Sequence, residues 1–174
     1  MNLSETVSGT TSIEIGGGEF RFPAAHTGWH DGEFEPLHGH TYIPVLRLRG
    51  GMGKAGMVAD FSAVKAALRH AITPLRRRVL LAADCPGVVI EHEGDSVRVA
   101  SPGKRYVFPA GDTVVLPITN TSTELLATYL LEQLLPVVAE HGVDGVELEL
   151  SEAPGTAATA RADFILAETR RAHR

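Results

Sequence analysis

The sequence predicts a single α+β domain, and three observations carry that reading. Several short segments alternate apolar and polar residues with the period of a strand, two longer segments repeat apolar residues with the period of a helix, and turn-forming residues separate them. A chain of 174 residues can bury one core but not two comfortable ones, so the whole chain, 1–174, is expected to form one domain with a polar tail to about residue 12.

The elements follow in order. Phe20, Phe22 and Ala24 alternate with Glu19 and Arg21, so residues 19–26 read as a strand, and Gly16-Gly17-Gly18 before it as a turn or bulge. Residues 28–35 are polar and turn-forming. A second strand over residues 38–49 has Val45 and Leu46 in its apolar centre, and residues 50–56 form a glycine-rich loop. Phe61, Val64, Leu68 and Ile72 form the ladder of an amphipathic helix, with Asp60 placed to cap its first turn and Pro74 placed to end it. Residues 88–92 and 96–100 flank Glu93-Gly94-Asp95 as a hairpin, and 105–108 and 114–116 are further extended pieces. A longer helix over 123–141 carries Leu126, Leu130, Leu134 and Val137 or Val138 on one stripe, with Gly142 as its stop. Residues 146–150 alternate as a half-buried strand, and residues 160–173 are expected to form a last short helix.

A formal charge of -5 without a basic block argues against a surface built to grip phosphate backbones, so no nucleic-acid partner is expected. Cys85 is the only cysteine, which excludes an intrachain disulfide and limits any zinc site to nitrogen and oxygen donors. Residues 1–11 lack the basic start and apolar stretch of a signal peptide, and no apolar run is long enough to cross a membrane. The expected setting is the cytoplasm.

His38-Gly39-His40 enters a strand with both imidazoles on one face, because side-chain direction repeats every two residues. His26 ends the preceding strand, and a neighbouring position would give three nitrogen ligands and an open fourth position, the arrangement of a catalytic zinc ion. Zinc there would act as a Lewis acid on a substrate hydroxyl or carbonyl. An HxH pair by itself is as compatible with a surface or core role.

The run Phe22-Pro23-Ala24-Ala25-His26, then Glu35-Pro36-Leu37-His38-Gly39-His40-Thr41-Tyr42, then Gly56-Met57-Val58-Ala59-Asp60-Phe61 resembles the 6-pyruvoyl- and 6-carboxytetrahydropterin synthases in order and spacing. Asn120-Thr121-Ser122-Thr123-Glu124-Leu125-Leu126-Ala127 resembles the helix-opening motif of that family, and Val146 to Glu152 its pterin-anchoring strand. The resemblance implies the tunnelling fold: an antiparallel four-stranded sheet with two helices on one face, subunits joining into a barrel, commonly as a homohexamer of two trimers. It implies that His26, His38 and His40 bind zinc, that Glu152 anchors the ring, and that Ser122 and Thr123 line the pterin pocket. Thr123 could equally serve only as a helix cap.

The family's cysteine, four residues before the HGH motif, is here Phe34, and Glu35-Pro36-Leu37-His38-Gly39-His40 resembles instead the type III branch, in which a glutamate is the general base. By that resemblance Glu35 is catalytic, and the protein is a zinc-dependent lyase. It would act on 7,8-dihydroneopterin triphosphate or a close relative, cleaving the side chain to give 6-hydroxymethyl-7,8-dihydropterin or eliminating triphosphate. The family's Asp-His pair aligns with Leu75-Arg76-Arg77-Arg78. Arginine does not shuttle protons at neutral pH, so these residues are either a solvated helix end or, at Arg77, a clamp for the triphosphate. Their presence keeps open a different substrate on the same fold and metal, or a non-catalytic pterin-binding role. His30 is a loop histidine that could act in proton transfer or simply face solvent.

Overall fold

The structure, a computed structural model, describes residues 9–53 and 55–164. Strand β1 (Thr11–Gly16) and strand β2 (Phe22–His26) are followed by a small hairpin of β3 (Trp29–His30) and β4 (Glu33–Phe34), and then by the long strand β5 (His38–Gly50). Helix α1 (Phe61–Ile72) leads to β6 (Val79–Ala82), to three strands β7 (Val89–Glu93), β8 (Ser96–Ser101) and β9 (Lys104–Pro109), and to β10 (Thr113–Leu116). Helix α2 (Thr123–Ala139) and the pair β11 (Gly145–Ala153) and β12 (Thr156–Asp163) complete the described chain.

Strand β5 organises the sheet. One half of it pairs with β1 and the other with β2, so that these two act as one interrupted strand along the same side, while β11 pairs on the opposite side and carries β12. All of these pairings are antiparallel, giving four strands in width; β6 and β10 extend the sheet beyond β2 by parallel pairing. Both helices cover one face. Val64, Leu68 and Ile72 of α1 and Leu126, Leu130, Leu134 and Val138 of α2 join Phe22, Tyr42, Leu46, Leu48, Leu148 and Leu150 of the sheet in a single core. The bare face carries charge instead. Arg47 bridges Glu14 and Glu149 at 2.9 and 2.8 Å, Arg49 meets Asp163 at 2.7 Å, and Arg161 meets Glu147 at 3.1 Å, cross-strand pairs that set register more than stability.

Strands β7, β8 and β9 form a separate antiparallel meander. Its inward side, Val97 and Val99, closes a second core with Phe34, Leu81, Ala82 and Cys85. Burial pushes the Cys85 thiol up, the state of a packed residue rather than a nucleophile.

Most expected elements are present, and the departures have physical reasons. Asp60 does cap α1, accepting from the Ser62 amide at 2.8 Å, but Phe61 at the start of the ladder is 45% exposed, while Val64, Leu68 and Ile72 are buried. Residues 18–20 form a short 3-10 turn rather than strand, although Phe20, Phe22 and Ala24 are all buried as their alternation predicts. The polar tail ends sooner than about residue 12, since β1 starts at Thr11, where Ile13 and Ile15 supply an apolar side. Residues 160–163 are strand, not helix: Ala158, Ala160 and Ala162 pack inward while Thr159, Arg161 and Asp163 face out, a period-two pattern masked by the helix preference of alanine. The rest of the expected last helix lies outside the described residues. Helix α2 runs through Pro136 near its end, where one lost backbone bond is offset by Leu130, Leu134 and Val138 in the core.

At Gly16 the backbone of β1 presses on β5, and a Cβ there would lie 2.4 Å from the Pro44 carbonyl oxygen; at Gly18 nothing lies within 4 Å. Gly16→Ala is therefore expected to lower unfolding free energy by about 1–3 kcal/mol, with Gly18→Ala costing distinctly less. Urea denaturation of both variants checks this, and equal losses would contradict it.

Candidate active site

The site begins with strand register. Pairing of β2 with β5 sets Phe22 opposite Tyr42, Ala24 opposite His40, and His26 opposite His38. All six side chains share the helix-covered face. Phe22 and Tyr42 stack at 5.3 Å inside the core, and one step further along the strands the core gives out, leaving His26 buried, His40 half-buried and His38 exposed. The three imidazoles converge, with ring centroids 4.5, 4.9 and 5.2 Å apart, and each offers a nitrogen within 4.8 Å of the others.

Their hydrogen bonds suit a metal. His26 Nδ1 donates to the Thr121 carbonyl at 3.0 Å, with the Thr121 hydroxyl at 3.1 Å, and His38 Nδ1 donates to the Pro36 carbonyl at 2.8 Å. Each bond fixes one nitrogen as the protonated one and leaves Nε2 as a lone-pair donor. His26 Nε2 is buried without a partner, which is costly unless a ligand satisfies it. Burial, then the neighbouring His38 and His40, hold the His26 pKa below its ordinary value, so the ring is neutral near pH 7 as a metal ligand must be. The donor set fits a divalent ion with further coordination positions open to the cavity.

Glu35 follows β4, and its amide donates to the Gly28 carbonyl at 2.9 Å. Its carboxylate lies against Gly28, where a Cβ would stand 2.6 Å from Oε2, so a side chain at 28 would displace the carboxylate from this position. On the other side of the site the Thr123 hydroxyl donates to a Glu152 carboxylate oxygen. Thr123 is thus not the cap of α2. Ser122 is the cap, accepting from the Leu125 amide.

A cavity of about 570 Å³ joins these groups, lined by the three histidines, Glu35, Ser122, Thr123 and Glu152. Arg77 is not among its walls. With Arg78 and Asp112 it borders a second depression along β2 and β5, lined also by Pro23, Ala25, Thr41 and His40. Arg77 holds a left-handed backbone, φ 58, with its amide donating to the Pro23 carbonyl. His30 lines the mouth of the cavity, 3.4 Å from Asp31, with both side chains largely in solvent. Asn120 and Thr121 stood in the helix-opening motif without a role assigned to either, because their partners, Trp29 and His26, lie more than ninety residues away.

A family model described as 6-pyruvoyl tetrahydropterin synthase matches residues 17–163. A protein of Methanocaldococcus jannaschii named as a putative 6-carboxy-5,6,7,8-tetrahydropterin synthase is 26% identical over 145 residues, spanning 81% of this chain and 89% of its own. Among solved structures, 6-pyruvoyltetrahydropterin synthase of Plasmodium vivax, in catalytic-residue mutants that replace a glutamate by alanine or by cysteine, superposes with TM-score 0.84 at 30% identity, over 89% of this chain and 99% of that one. The Plasmodium falciparum enzyme gives 0.85 at 26% identity, over 90% and 100%.

If the imidazoles are the metal donors, His26→Ala or His38→Ala should abolish retention of a divalent ion, while Glu35→Gln should leave it unchanged. Metal per chain after dialysis, read by plasma emission, checks this; full retention by both histidine variants would refute the assignment.

Proposed function

The chain belongs to the 6-pyruvoyl tetrahydropterin synthase family, and from that premise we propose that it is a zinc-dependent lyase cleaving the side chain of 7,8-dihydroneopterin triphosphate, or a close relative, to give 6-hydroxymethyl-7,8-dihydropterin. The observation that carries this reading is Glu35, a carboxylate on the same cavity as three metal-competent histidines and the Thr123–Glu152 pair. The Plasmodium vivax relative, whose catalytic residue is a glutamate, supports the role.

In this reading Glu152 accepts hydrogen bonds from the guanidine-like edge of the pterin, a charge-assisted pairing that fixes the ring, and the Thr123 hydroxyl holds the carboxylate in orientation. Ser122 lines the same wall. The cavity is of the size that takes a small heterocyclic ligand. Leaving a hydroxymethyl group on the ring requires breaking the bond between the first and second side-chain carbons. Glu35 takes the proton of the hydroxyl on the second carbon, that carbon becomes a carbonyl, and the electron pair passes to the first carbon, where conjugation with the ring spreads it until a proton is restored. Zinc held by His26, His38 and His40 supplies Lewis-acid polarisation of the side-chain hydroxyl.

Assembly belongs to the same proposal. The outer edges of β1 and β12 are unpaired among the described residues, and joining such edges between copies, as in a homohexamer of two trimers, would remove them. Arg77 does not line the cavity of its own chain but borders a second depression that His40 also lines, so in this reading a contact from it to the triphosphate would come from that side or across such an interface. The three arginines in place of an Asp-His pair favour a second reading, the same fold and metal acting on a different substrate. No described helix is long and apolar enough to cross a membrane, and a cytoplasmic setting is proposed with the rest.

Zinc-loaded protein incubated with 7,8-dihydroneopterin triphosphate should yield 6-hydroxymethyl-7,8-dihydropterin by mass, and Glu35→Gln should lower the rate by about 10²- to 10⁴-fold. Bound but unchanged substrate would displace this activity in favour of the second reading. Glu152→Gln should act mainly through KM.

A further inference from the structure

The base proposed above is carried by a hairpin too small to hold itself. Strands β3 and β4 have two residues each, pairing Trp29 with Phe34 and His30 with Glu33 around a tight turn at Asp31 and Gly32, both with positive φ. A two-stranded ribbon of this size is not stable alone in water, yet the position of Glu35 depends on it. Three contacts from elsewhere fix it. Phe34 packs in the second core and meets the Trp29 ring edge-on at 5.4 Å. The Lys104 ammonium donates to the Phe34 carbonyl. The third contact is polar and two-pointed: the Trp29 amide donates to Asn120 Oδ1 at 2.9 Å, while Asn120 Nδ2 donates to the Trp29 carbonyl at 3.0 Å.

We propose that Asn120 is a positioning residue for Glu35, its side-chain amide serving as the template that sets the β3–β4 hairpin beside the histidine cluster. This rests on the reading of Glu35 as the base. The chemistry selects the residue type. Only a primary amide presents a donor and an acceptor side by side, as a neighbouring strand would. A carboxylate would face the Trp29 carbonyl with a like partial charge, and alanine would leave both backbone groups without partners. Asn120 is itself fixed. Its Oδ1 also accepts the Thr121 amide at 2.8 Å, and the Thr121 hydroxyl donates to the Thr27 carbonyl at 3.2 Å, tying the segment before α2 to the root of the hairpin. Because Thr121 also orients His26, two consecutive residues set the base and one metal ligand relative to each other.

Trp29 is the only tryptophan of the chain and lines the cavity, so its fluorescence reports the hairpin directly. Asn120→Asp, which keeps the accepted bonds and loses the donated one, and Asn120→Ala should both raise acrylamide quenching of Trp29 and lower kcat by roughly 10- to 100-fold. KM and zinc per chain should stay near their wild-type values. Quenching and kcat unchanged in Asn120→Asp would overturn the proposal, and so would altered quenching with kcat unchanged. Should the wild-type chain prove inactive on 7,8-dihydroneopterin triphosphate, the substrate reading fails, and the quenching comparison alone decides whether Asn120 sets the hairpin.

Discussion

The three histidines of the candidate site take their places from the register of β2 on β5. A slip of one residue would turn His26, His38 and His40 to the opposite face, away from Glu35 and Glu152. The register is held by burial rather than by the histidines. Phe22 and Tyr42, both fully buried, stack one pair-step inside the core, and moving Phe22 to the bare face would forfeit roughly 1.5–3 kcal/mol of transfer free energy. The donors for a metal are therefore arranged by hydrophobic packing before any ion arrives. A preorganised site of this kind spends little of its binding free energy on ordering its ligands.

The amino-terminal end of α2 gathers the remaining polar groups. Four consecutive residues have separate partners: Asn120 meets the backbone of Trp29, Thr121 meets His26 and Thr27, Ser122 caps the helix, and Thr123 meets Glu152. A helix start leaves amides without intrahelical partners, so this part of the chain must be polar and ordered in any case. Here that requirement coincides with the point where the sheet's apolar face runs out, and the same residues that terminate the helix close the wall of the cavity.

The strand and helix periods made the frame legible, since β2, β5, both helices and β11 rest on alternation or on a helical ladder of large apolar residues. The small residues hid the rest. In β12 the inward positions are alanines, whose size and helix preference conceal a period of two, and β1 is polar enough at its start to read as tail. Of the site, the HxH spacing and His26 could be read as a cluster because strand geometry is local. Asn120 and Thr121 could not, because what they touch lies across the fold and their residue types are ordinary for the start of a helix. Arg77 was legible as a cation but not as one placed outside the cavity walls.

The pairing of Phe34 with Glu35 follows from the same alternation. Glu33, Phe34 and Glu35 point out, in and out, so position 34 enters the second core between Leu81 and Val99 while position 35 reaches the cavity against Gly28. A polar group at 34 would be desolvated among those apolar side chains, and an apolar one at 35 would remove the carboxylate that the hairpin brings to the cavity. Phe34 thus anchors the hairpin in the second core, and Glu35 stands one step along the chain on the cavity side. This arrangement asks for room beside residue 28, which glycine supplies, and for an inward-facing partner surface, which the β7–β9 meander supplies. Phe34 and the meander therefore fix the hairpin from one side, while the Glu35 carboxylate rests against Gly28 on the other.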